Sequence, residues 1–72
     1  MRAYYILVGR ENKHEKFEEI FGDYVRAVVM QESRDTTGYI NKRVIKTGEY
    51  VADLMVVLQT LNETEPPKPR KA

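Results

Sequence analysis

One stretch limits what this chain can become. Arg2 to Arg10 reads RAYYILVGR, with an unbroken apolar run from Ala3 to Val8, in a protein of 72 residues. The run is far short of the ~18 apolar residues of a membrane span. It is rich in aromatic and aliphatic residues and closes on Gly9, which predicts a strand over residues 3 to 8. It does not alternate polar with apolar, so both of its faces need cover. A chain this short buries only roughly 60% of its extended surface, and its core is marginal without help. Cysteine is absent and histidine occurs once, at His14. Disulfides and a zinc site within one chain are therefore poor candidates for that help. Tight packing or a second chain remains.

Along the rest of the chain the pattern alternates between helix and strand. Asn12-Lys13-His14-Glu15 has the spacing of a capping box, and Phe17, Ile20, Phe21 and Tyr24 recur at helical intervals. Together they predict a helix from Asn12 to about Phe21, stopped by Gly22, with Glu11, Glu15, Glu18 and Glu19 on its polar side. The valine-rich stretch Tyr24 to Glu32 predicts a second strand. Ser33 to Gly38 is a polar loop, and Tyr39 to Lys46 predicts a third strand. Thr47 then caps a last helix, with Glu49 in its first turn. Tyr50, Val51, Leu54, Met55, Val57, Leu58 and Leu61 form an apolar stripe on it, wider than one packing seam needs. Residues 1–62 are expected to form one domain. Residues 63–72, with Pro66, Pro67, Lys68, Pro69, Arg70 and Lys71, are expected to be a disordered basic proline-rich tail, in which PxxPx+ matches a ligand pattern of proline-recognising domains.

The expected order is β-α-β-β-α. This is an α+β fold with a ferredoxin-like, three-stranded sheet, both helices on one face, and no fourth strand. That topology puts the first strand on an edge, and an apolar unpaired edge is a template for pairing. The pairing reading takes Tyr5 and Leu7 on that strand, with Tyr50 and Val57 on the broad helical stripe, as candidate partner-binding residues. The opposing expectation is a strand order that leaves the first strand central.

The runs ILVGRENKHEKFEEIFGDY and VRAVVMQESRDTTGYI, followed by a helix ending in QTLNE, resemble an RNA-recognition motif over residues 3 to 62. The resemblance implies an RRM-like sheet that stacks single-stranded bases on aromatics of its central strands. Leu7 stands where that family usually has a stacking aromatic. In GYINKR only Tyr39 keeps a stacking position, with Asn41 at the other. Arg26, Tyr39, Arg43 and Lys46 are the candidate nucleic-acid-binding residues of this alternative.

Charge does not decide between the two. Twelve basic residues face 11 acidic ones, a net charge of +1. A non-specific nucleic-acid binder carries a larger basic excess, and a nucleic-acid mimic is strongly acidic. Glu11-x-x-His14 has a metal-ligand spacing, but one copy in a surface segment reads as an ordinary surface histidine. No base stands near the hydroxyls of Ser33, Thr36 and Thr37, and the carboxylates of residues 11 to 19 read as a solvated face. The expectation is a small cytoplasmic, non-enzymatic regulatory or inhibitory protein that binds a protein partner as a homodimer, with no cofactor and no metal. A single-stranded RNA or DNA binding module is the alternative.

Overall fold

The computed structural model describes residues 3–48 and 51–70. It is a small α+β fold in the order β1 (Tyr4–Arg10), β2 (Glu18–Asp23), α1 (Arg26–Asp35), β3 (Asn41–Thr47) and α2 (Val51–Thr64). The strands form one antiparallel sheet in the order β2-β1-β3. The apolar run is thus the central strand. The expected β-α-β-β-α order, and with it the ferredoxin-like, RRM-like arrangement, is corrected to β-β-α-β-α. The expected open edge on the first strand is lost with it, because β1 has a neighbour on each side.

The expected first helix is a turn followed by β2. The Asn12 side chain does satisfy a nearby amide, but it does so in a tight turn. Asn12 Oδ1 accepts the His14 N–H at 2.9 Å, and the Asn12 carbonyl accepts the Glu15 N–H at 3.2 Å. A short polar side chain serves either structure equally well. The helix-like spacing of the aromatics has a different origin. Leu7 pairs with Phe21 while Val8 pairs with Glu19, so Ile20 is an extra residue at a β-bulge. A Cβ placed on Gly9 would come 2.7 Å from Ile20 Cδ1 and 3.1 Å from Tyr39 Cδ1. Gly9 leaves room for both side chains on its face of the sheet.

The expected second strand is α1. Of its valines only Val29 is buried, while Val28 and the preceding Val25 stand exposed. A single buried residue among the ten of α1 is no two-residue alternation, and β-branched composition misstates it. Asp23 Oδ1 accepts the Val25 N–H at 2.8 Å just before the helix. At the other end Thr36 N–H returns to the Glu32 carbonyl at 2.9 Å, and the Lys42 ammonium donates to the carbonyls of Ser33 and Thr36. A cation there meets the negative end of the helix.

The helices do not share one face of the sheet. Tyr4, Ile6 and Val8 point to one side of β1, and Tyr5, Leu7 and Gly9 to the other, because strand side chains alternate. Ile6, Val8 and Phe17 are buried together, with Tyr4, Ile45 and the α2 residues Leu54, Val57, Leu58 and Leu61 packed on them. Leu7 is 0% exposed on the opposite face, and α1 packs against all three strands. Two layers of helix therefore cover the two faces of the apolar run. The Cα envelope measures 48 × 26 × 13 Å.

After α2 the chain returns to the sheet's β1–β2 turn. The boundary expected at residue 62 lies within α2, which runs to Thr64, and residues beside and beyond it contact the turn. The Asn62 side chain clasps Phe17, accepting its N–H at 2.7 Å and donating to its carbonyl at 3.3 Å. Lys68 N–H donates to the Lys13 carbonyl at 2.8 Å, and His14 Nδ1 lies 2.7 Å from the Lys68 carbonyl. Arg10 stacks its guanidinium 4.5 Å above the Phe17 ring and donates to the Glu65 carbonyl at 3.2 Å.

Candidate functional site

α2 carries apolar residues around more of its circumference than the core uses. Its inward side is spent on Ile6 and Val8. On its outer side Met55 is 70% exposed and Val56 62% exposed. Val56 belongs to an open groove between α2 and β3. Ile45 and the α2 residues Val57, Thr60, Leu61 and Thr64 complete its walls, and Arg43 and Glu65 stand in it as an ion pair. The groove lies along β3, a strand whose outer side has no further strand among the described residues. It offers an apolar floor, an unpaired backbone edge and one charge pair.

The partner-binding candidates are dispersed over the fold. Val57 lines the groove. Tyr5 is half-buried on the α1 side, and Leu7 is enclosed there. Tyr50 lies outside the described residues. The broad stripe on the last helix was the usable signal for the groove, although Val56, Thr60 and Glu65 did not stand out in it. The Arg43–Glu65 pair spans 22 positions and has no local sequence signature.

The nucleic-acid candidates are not brought onto one face. Arg43 pairs across β1 with Val8 and so faces α2, where it meets Glu65. Lys46 pairs with Tyr5 and so faces the α1 side. Tyr39 precedes β3 and packs over Gly9, also on the α1 side. Arg26 is exposed at the start of α1.

At the far end of β1, Tyr4 and Tyr24 meet edge to face, with ring centres 4.9 Å apart. Burial, then the neighbouring Glu19, Tyr24 and Asp23, hold the Tyr4 hydroxyl above its ordinary ionisation range. Among the described residues no three His, Asp or Glu side chains converge as a metal site. Glu11 and His14 sit in a turn and lack the helical spacing that would align them. No described helix is long and apolar enough to cross a membrane. No protein-family model, curated protein or solved structure matches this chain.

Proposed function

We propose that the chain is a small non-enzymatic regulatory or inhibitory protein that binds a protein partner through the groove between α2 and β3. The observation that carries this reading is the pair Met55 and Val56, exposed on a helix whose other side already forms the core. Single exposed apolar residues are ordinary, but here Val56 continues into an apolar groove beside an edge strand. A partner with an apolar anchor for the groove and an extended backbone for the edge suits this surface. The layered fold favours this reading over a single-stranded nucleic-acid module, which stacks bases on an open sheet face.

Affinity capture with nuclease treatment tests it, using the wild type beside Val56→Lys. Circular dichroism first confirms that the variant folds. A protein held by the wild type and lost from the variant supports the groove. Equal capture by both refutes it. Retention of RNA or DNA, weakened by salt and by Lys46→Ala or Arg26→Ala, would instead favour the nucleic-acid reading.

A further inference from the structure

The two edges of the sheet carry opposite charge in matched rows. The register aligns Asp23, Tyr5 and Lys46 in one row across the three strands. It aligns Glu19, Val8 and Arg43 in a second, and Glu18, Gly9 and Lys42 in a third. Every one of these rows ends on a carboxylate at β2 and on a cation at β3. The strands β2 and β3 both run antiparallel to β1, so they are parallel to each other. A second copy displaced sideways by one sheet width would set its β2 beside β3 of the first. Each cation would then face a carboxylate in the same row and on the same face. A three-stranded repeat of this kind advances about 14 Å along the sheet.

We infer that β3 of one copy pairs with β2 of the next, in head-to-tail association of the chain with itself. This deepens the protein-binding reading by assigning the partner at the β3 edge to a second copy. Charged residues on edge strands commonly guard against pairing. Here the signs are segregated, so the guard acts between like edges and is absent between unlike ones. A two-fold pairing of β3 with β3 would set base against base. The heterologous contact relieves this, and it either closes into a ring or continues as a filament. Lys42 and Arg43 have partners within the chain, the α1 carbonyls and Glu65. The Arg43–Glu65 pair lies at the surface, where a single ion pair is weak and open to exchange. The Lys42 contacts are part-buried and stay in place, so Arg43 and Lys46 supply the charge of the contact.

Light scattering over a concentration series at low and high salt tests the inference on the full chain. The wild-type mass should rise above the 8.4 kDa of one chain as concentration increases at low salt, and fall back as salt is added. Lys46→Glu, or Lys46→Gln if the reversal does not fold, should stay at monomer mass. So should the doubly substituted Glu18→Lys/Glu19→Lys chain. Mixing Lys46→Glu with that double variant leaves one complementary contact, the unaltered β2 of the first against the unaltered β3 of the second, so the mass should rise to that of a dimer and no further. A wild type that stays monomeric throughout overturns the inference. So does association that survives in both edge variants, or that is lost only in Val56→Lys. If the wild type stays monomeric while Val56-dependent capture of another protein persists, the edge assignment fails and the protein-binding reading stands.

Discussion

Replacing Ile6 and Leu7 separately by alanine tests the layering directly. The two residues are adjacent on β1, point to opposite faces, and are each 0% exposed. A sheet with both helices on one side would bury one of them and leave the other open. The three-layer fold makes both substitutions costly. Truncating a fully buried Ile or Leu to Ala removes about 2–5 kcal/mol, from lost transfer energy and the cavity left behind. At about 0.05–0.15 kcal/mol per residue, a chain of this length holds a total of only about 4–11 kcal/mol. Either change should therefore take a large share of the stability. Urea unfolding followed by circular dichroism measures it. With an m-value near 1 kcal/mol/M, each midpoint should fall by about 2 M or more, or the variant should fail to fold. A cost at Leu7 below about 1 kcal/mol, beside a large cost at Ile6, would show that α1 does not cover its face. The layered reasoning would then be wrong.

Three further outcomes follow from single contacts. A Cβ at Gly22 would collide with the Tyr4 ring and hydroxyl, so Gly22→Ala should cost about 1–3 kcal/mol in urea unfolding, and less in a Tyr4→Phe background. Asn62→Ala removes both partners of the Phe17 backbone and should cost about 1–3 kcal/mol, with faster hydrogen exchange at the Phe17 amide as the local readout. The raised Tyr4 ionisation favours the neutral hydroxyl in the folded state. Its stabilisation is complete below the unfolded tyrosine value near 10 and is lost as pH rises through the folded value. Stability measured across that alkaline window should decline less steeply in Tyr4→Phe.

The elements that the sequence discloses are those whose cover is written into their own residues. The unbroken run of β1 demands two covered faces, and it has them. β3 and α2 also lie close to their expected positions, and the excess width of the apolar stripe on α2 marks the side that the core does not use. Residues 12 to 35 mislead for a definite reason. The bulge at Ile20 adds one residue to a strand, and period two plus one extra residue resembles period three to four over so short a span. The valines of α1 argue for a strand by composition, while only Val29 needs to be inside. Exchanging these two assignments moves β1 from edge to centre and redistributes every candidate site. The charge rows across the sheet were illegible for the same reason. Glu18, Glu19 and Asp23 acquire their relation to Lys42, Arg43 and Lys46 only once β1 lies between them.

The clasp between the chain's late segment and its first turn also bears on the order of folding. Asn62 reaches Phe17 across 45 positions, His14 reaches Lys68 across 54, and Arg10 reaches Glu65 across 55. Closing such long loops is entropically slow beside the local hairpin of β1 and β2. The β1–β2 hairpin can therefore form before α2 docks. During that interval Ile6, Val8 and Phe17 face water, on the side that α2 alone later covers. The same apolar run that forces a three-layer fold thus makes the newly made chain most prone to aggregate just before its last helix docks.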